Sequence, residues 1–524
     1  MKGTFRIQRL VLFFVVAGVV SCQKKENPLP FPIEGTGSTE LSAFYIPAGQ
    51  GNLMEDFPCP ITDGEVNVFC PLIDDISSLV VCFDGDFAEV TVNGVPQRSG
   101  KSSQNFNNPV VYTVSDYEGN TKDITVRIKG ANGIPRLDVF TENQAPVLSK
   151  TDYVPCTVRL SNDPVHGLME APGKIRGRGN ATWFGDYPKK PYKIKFDEKQ
   201  ALFGFDGNRD WAVLAEYTDR TLLRVAYLRE LEKRVGVPYP LEYRHVDFYL
   251  NSEYLGTYIV SETVERAKSR VNIGEDGFIF ECDWYYSDEP LWFTTNTKHY
   301  NFTFQYPEAS DGKIVRGDAN YEFIRRKMND FEAALYGSNF KDENLGYRKF
   351  IDMESFAKWY VVHELLRIQD PNLYFTLPSR DGKLQMAPDW DPEWSLGNAI
   401  LAQNGENNYW EGRGHTPAPD APYWDRGGNC RYYSRMIQDP AFVNAVRAEW
   451  AKLKPQLPDF QQEMRDIAQT LIYTQEDNFT RWKVLGKYES VILVAFDTWS
   501  QEVLYAEDFL AKRITWFDSY LSSL

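Results

Sequence analysis

Histidine is scarce in this chain: five residues in 524, too few for the multi-His centres of most zinc enzymes. The two that invite such a reading fail it, because His363-Glu364 is followed by Arg367 where H-E-x-x-H needs its second His. G-x-S-x-G is absent, which removes the serine nucleophile elbow. Basic residues are outnumbered, 57 against 73 acidic, for a net charge of −16. That is the wrong sign for a protein held by nucleic-acid phosphates, so no nucleic-acid partner is expected. No apolar run reaches the ~20 residues that a spanning helix needs. Asp389, Asp391 and Glu393 sit close enough in sequence to suggest a glycoside hydrolase, but carboxylate spacing in sequence carries no geometry.

What remains is globular. The chain is 43% hydrophobic and 15% aromatic, with 13 Trp, 30 Tyr and 33 Phe, a supply that builds large cores and can also line sugar-binding surfaces. Its length implies about three domains.

The first residues read as an address. Lys2, Arg6 and Arg9 precede the apolar run Leu10–Val20, and small residues follow, the layout of a secretory signal. Val19-Val20-Ser21-Cys22 resembles a bacterial lipoprotein box. Residues 1–21 are therefore expected as a signal peptide, Cys22 as the lipidated N-terminus, and 22–39 as a polar tether. The expected location is exported and lipid-anchored, at the outer membrane or cell surface. In that compartment disulfides persist, and a pair among Cys59, Cys70 and Cys82 is a candidate, its connectivity open.

From 40 to 131 short β-rich runs alternate with turn residues: Val66–Phe69, Leu79–Phe83, Ala88–Val92, Val110–Val114 and Ile124–Ile128, with Tyr117-Glu-Gly-Asn as a hairpin turn. This pattern predicts an immunoglobulin-like β-sandwich. It resembles the N-terminal sandwich modules of surface lipoproteins of Bacteroidetes and carries no catalytic cluster.

Residues 134–524 carry the chemistry. Gly177 and Gly179 alternate with Arg176 and Arg178, a pattern that would let backbone amides approach an anion. Tyr192–Phe196 alternates lysine with apolar residues, as a strand with one basic face does. A helix is predicted from about Arg220 to Val235, stopped by Gly236. A hairpin follows, turning at Asn251-Ser252. A second helix is predicted from about Met353 to Gln369, and then a hairpin from Leu373 to Met386 that delivers Asp391 beside Asp370. Two carboxylates so placed suit phosphoryl transfer, which needs one at the attacking hydroxyl and one on the metal. The plainer alternative makes Asp370 a helix cap and Asp391 a turn residue.

Taken in order, Arg176-Gly-Arg-Gly-Asn-Ala-Thr-Trp183, Lys189-Lys-Pro-Tyr-Lys-Ile-Lys195, Asp210-Trp211, Asp219–Arg224, Leu250–Tyr258, Trp359–Glu364 and Met386-Ala-Pro-Asp-Trp-Asp391 resemble the spore-coat protein H (CotH) kinase family. The resemblance implies an α+β atypical protein-kinase-like domain, with an N-lobe sheet and one main helix over about 134–285 and a largely helical C-lobe over about 286–524. Like the family, the chain has no G-x-G-x-x-G. The resemblance further implies ATP with Mg²⁺ or Mn²⁺, and a Ser or Thr hydroxyl of an exported protein as phosphoacceptor. Asp370 matches the catalytic Asp and Asp391 the metal-binding Asp, with Asn372 and Glu393 as further metal ligands. Lys193, Lys190 and Arg178 are the candidates for the phosphates.

The chain departs from the family at Trp390-Asp391-Pro392-Glu393, where Trp-Asp-x-Asp is common. It departs again at Glu216 and Val225, where Asn is usual. A catalytically silent surface lipoprotein, binding protein or glycan as an adhesion module, is therefore the alternative. The C-terminal hundred residues read as structural helices. The Asn398–Asn429 segment, rich in Gly, Asn, Trp and Tyr, is a candidate substrate loop.

Overall fold

The computed structural model describes residues 36–398 and 431–524, apart from 52, 54, 71–72, 74, 131–133, 164, 166, 180, 186, 284, 311, 370–371, 489–491 and 493. The signal peptide, Cys22, most of the tether, Asp370 and most of the Asn398–Asn429 segment lie outside the described residues. Two compact units divide at Gly130. No helix among the described residues is long and apolar enough to cross a membrane.

The first unit is built from strands. Alternating burial along Val110–Ser115 and Thr121–Lys129 shows two-sided strands with one face in the core. Their turn is set by Asp116, whose Oδ1 accepts from the backbone N–H of Glu118 at 2.9 Å and of Asn120 at 2.8 Å. The six-stranded sheet runs Ile61–Thr62, Glu65–Phe69, Thr121–Lys129, Val110–Ser115, Glu89–Val92, Val95–Pro96, and the second and third of these pair in parallel. A three-stranded sheet of Phe57–Pro58, Ala43–Ile46 and Cys82–Asp84 shares its core. Phe44 meets Tyr112 edge-on at 5.4 Å, which joins the two sheets.

Cys59, Cys70, Cys82 and Cys156 are buried thiols, so the disulfide expected in the first unit does not form there. Burial pushes the Cys59 thiol up to about 12, and the Cys156 thiol likewise, which makes both inert. Among the described residues Cys282 is disulfide-bonded.

In the second unit the expected N-lobe sheet is a closed barrel of seven strands. Their order around it is Arg136–Thr141, Val154–Asp163, Gly167–Gly177, Tyr192–Gln200, Asn208–Leu214, Glu253–Ser261 and Tyr243–Leu250. The ring closes because Arg136–Thr141 pairs in parallel with Tyr243–Leu250. Leu137, Val158, Ile175, Ile194, Phe196, Trp211, Val213, Phe248 and Val260 fill the interior. Asn251 and Ser252, both at positive φ (51° and 69°), make the predicted two-residue turn.

The main helix, Arg224–Val235, ends at Gly236 in the left-handed conformation, whose N–H bonds the carbonyls of Glu232 and Lys233. Ala212 and Leu214 of the barrel and Leu228 and Leu231 of this helix share one core with the helical C-terminal region. That region carries a second sheet, ordered Trp292–Thr294, Asn301–Tyr306, Phe278–Cys282, Leu373–Leu377, Gln385–Met386. Phe278–Cys282 was assigned by sequence to the first lobe. It pairs with Leu373–Leu377 of the later region. Met353–Leu366 is buried almost all round, starts on the Asp352 side-chain cap and stops at Arg367 in the left-handed region, three residues earlier than the apolar pattern suggests.

Candidate active site

Strain marks the place. Glu216, Leu222, Asp391 and Leu396 all have positive φ, at 49°, 60°, 62° and 46°. Non-glycine residues hold that conformation only where surrounding contacts impose it. Here the contacts are visible. Asn398 Nδ2 donates to the carbonyls of Thr218 at 2.9 Å and Glu393 at 2.8 Å. Arg224 Nε donates to Ser395 O at 2.9 Å. The 391–398 segment is thereby pinned onto 216–224.

Asp391 reaches solvent while protein groups crowd it. Burial pushes its carboxyl up, and the Arg178 guanidinium opposes that shift. Arg178 lies 4.6 Å over the Trp390 ring, with Arg229 at 5.8 Å from the same ring. Beside Asp391, Glu393 is buried, its Oε2 accepting from the Thr218 hydroxyl and from Thr218 N at 3.2 Å. Burial and then Asp391 push the Glu393 carboxyl up to about 8, against the Thr218 hydrogen bonds. Glu216 is pushed well above its usual range by burial and then by Glu393, Asp219 and Asp391, with Lys189 opposing, and its Oε2 is buried without a hydrogen bond. Lys189 is itself buried, donating to Thr257 O at 2.6 Å and Asn478 Oδ1 at 3.0 Å.

Asn372 opens the strand beside this cluster. Its Nδ2 donates to Glu281 Oε1 at 2.9 Å. Burial, and secondarily Asp283, push Glu281 up to about 8, against hydrogen bonds from Asn372 and Tyr374.

The structure thus brings Arg178, Asp391 and Glu393 together, with Asn372 on the adjoining strand. Lys193 lies on the barrel's outer face, its Nζ 2.7 Å from Asp210 Oδ1. Lys190 does not serve as expected: its ammonium donates to Trp183 O at 2.9 Å and Gly185 O at 3.0 Å, holding the Ala181–Phe184 turn. The glycine pair is also no anion cradle. Gly177 N donates to Ser149 O and Arg178 N to Pro191 O, so those amides are spent. A Cβ on Gly177 would collide with the Trp183 ring, and that close approach is what the glycine permits.

Lys189, Glu216, Glu281 and Trp390 carry no role in the sequence reading, and Asp389 enters it only through the glycoside-hydrolase alternative. Asp389 and Trp390 stand inside a quoted motif, which was the available signal. Glu216 was marked only as a departure from the family pattern, and Glu281 reaches the site only through folding and leaves no local mark.

The donor set of Asp391, Glu393 and Asn372 is all oxygen, the chemistry that hard divalent cations take. Among the described residues no three His, Cys, Asp or Glu side chains converge as a ready metal cage.

Fold and site define an α+β protein in which a helix-backed barrel and a mixed helical region meet around clustered carboxylates. The family model described as CotH kinase protein matches residues 175–517, about two thirds of the chain, and the chain belongs to that family. No curated protein matches the chain.

Proposed function

We propose that the chain is an exported CotH-type protein kinase, transferring the γ-phosphoryl of ATP to a Ser or Thr hydroxyl of a secreted or surface protein. The observation that carries this is Asp391: a solvent-reaching carboxylate in a strained conformation, facing Arg178 and backed by Glu393. Asp391 would hold Mg²⁺ or Mn²⁺, with Glu393 and the Asn372 amide oxygen as further ligands. Bound metal would neutralise the phosphates and orient the nucleotide. Arg178 would add charge at the phosphates, fixed in place by its stack on Trp390. Lys193 is the lysine of the reading, and Lys190 drops out of it. Asp370, outside the described residues, takes the hydroxyl proton in this account by its match to the family. A kinase-like lobed fold, an Ig-like first unit and an anchor on Cys22 complete the proposal.

One observation favours a second reading, a silent surface module that binds protein or glycan. Both lysines assigned to the phosphates are already paired, Lys193 with Asp210 and Lys190 with carbonyls. Calorimetric titration with ATP separates the two: binding that needs Mg²⁺ or Mn²⁺ and vanishes in Asp391→Asn supports the kinase. No heat with either metal supports the binding module.

A further inference from the structure

Asp389 is fully buried and touches three separate parts of the site. Its Oδ1 accepts from Asn372 N at 2.9 Å and from Trp390 N at 2.7 Å. Its Oδ2 faces His363 Nε2, on the Met353–Leu366 helix, at 3.2 Å. Its own backbone is gripped by the main helix: Asp389 N donates to Glu232 Oε1 at 2.8 Å, and Arg229 Nη1 donates to Asp389 O at 2.7 Å. Arg229 and Glu232 are joined in turn at 2.9 Å.

The two amides on Oδ1 are the informative contacts. Asn372 stands two residues after Asp370, and Trp390 directly precedes Asp391. One oxygen atom therefore fixes the spacing between the segment of the proposed base and the segment of the proposed metal ligand. A buried carboxyl group accepting two backbone N–H groups is a rigid tie, because releasing it strands those donors without partners. The His363 ring closes the far side, and the helix holds Asp389 from above.

We infer that Asp389 is the positioning residue of this site, a clamp that sets the Asn372 and Trp390–Asp391 segments in register and couples both to the Arg224–Val235 helix. The inference rests on the phosphotransfer reading for its effect on rate, and on geometry alone for the clamp. Asp389 touches neither nucleotide nor acceptor in this account. Its loss should therefore act on kcat more than on nucleotide affinity, since a misplacement of about 1 Å costs roughly 100-fold in rate.

The test uses the full chain with Asp389→Ala and Asp389→Asn. The Asn variant keeps an acceptor oxygen for both amides and turns an N–H toward neutral His363, so it is the rescue. Two readouts are taken: kcat and KM for ATP, and amide hydrogen exchange at Asn372 and Trp390. The clamp predicts that both amides are among the slowest of their segments in the wild type, a result that needs no variant to fold. Asp389→Ala should lose about 100-fold in kcat, with KM changed less than about 3-fold, and should exchange both amides faster. Asp389→Asn should restore both properties. Fast exchange of these amides in the wild type, or unchanged exchange in the Ala variant, overturns the clamp. Equal damage by Asn and Ala also overturns it. A wild type that transfers no phosphoryl contradicts the kinase reading instead, and the exchange data then decide the clamp by themselves.

Discussion

Lys193 Nζ sits 2.7 Å from Asp210 Oδ1 on the outer face of the barrel, and Lys195 shares the same carboxylate at 3.4 Å. Burial would raise the Asp210 carboxyl, but Lys193 and Lys195 outweigh it and hold the group below its usual range. The pair matters because Lys190, next to the same strand, is committed to backbone carbonyls. Of the two lysines proposed for the phosphates, Lys193 is the one whose ammonium faces a carboxylate rather than backbone carbonyls.

The two lysines therefore separate by mutation. Lys193→Met should lower kcat/KM for ATP by about 100-fold with little change in stability, because it removes a partly exposed charge from bound phosphates. Lys190→Met should change kcat/KM by less than about 3-fold and cost about 2 kcal/mol, as the carbonyls of the Ala181–Phe184 turn lose their donor. Steady-state kinetics and urea titration of both variants check this. Reversed roles would return Lys190 to the site.

Asp219 and Arg224 are a buried pair that organises the start of the main helix. Asp219 accepts from Thr221 N at 2.9 Å, Thr221 Oγ1 at 2.6 Å, Arg224 N at 2.8 Å and Arg224 Nη1 at 2.5 Å. Asp219→Ala leaves the guanidinium uncompensated and should cost about 3–5 kcal/mol in chemical unfolding. A loss under about 1 kcal/mol would mean that the pair is not formed.

Glu281 gives stability a definite pH dependence. Its folded carboxyl, pushed up to about 8, keeps a proton that the unfolded chain gives up at about 4.3. The folded state binds more protons between those values, so this group's contribution to stability is present at pH 5 and falls as pH rises to about 8. Glu281→Gln removes the titration while keeping an acceptor for Asn372. The variant should gain on the wild type by about 3 kcal/mol between pH 5 and pH 8 in urea unfolding. A constant difference across that range would contradict a neutral Glu281.

Elements with a local signal were legible in the sequence. The stripe of Leu223, Tyr227, Leu228 and Leu231 with Gly236 behind it places the main helix, and Asn251-Ser252 places the hairpin. Barrel closure was not legible, because the parallel pairing of Arg136–Thr141 with Tyr243–Leu250 joins segments about a hundred residues apart. The same holds for Phe278–Cys282, whose partner strand begins at Leu373. At the site, motif order singled out Asp391, Glu393 and Asn372 as candidates. It misjudged Lys190, because the neighbouring Lys189, Lys190 and Lys193 differ only in what the fold sets against each: a carboxylate cluster, a turn, or Asp210.

The central claim is that Asp391 serves phosphoryl transfer. Its most direct test incubates the full chain with γ-labelled ATP, Mg²⁺ or Mn²⁺ and a Ser-rich acceptor protein, beside Asp391→Asn and Asp370→Asn. The account predicts metal-dependent label on the acceptor with the wild type, reduced by at least about 100-fold in each variant. Label that persists in Asp391→Asn, or a wild type that neither transfers label nor binds ATP with either metal, would contradict it.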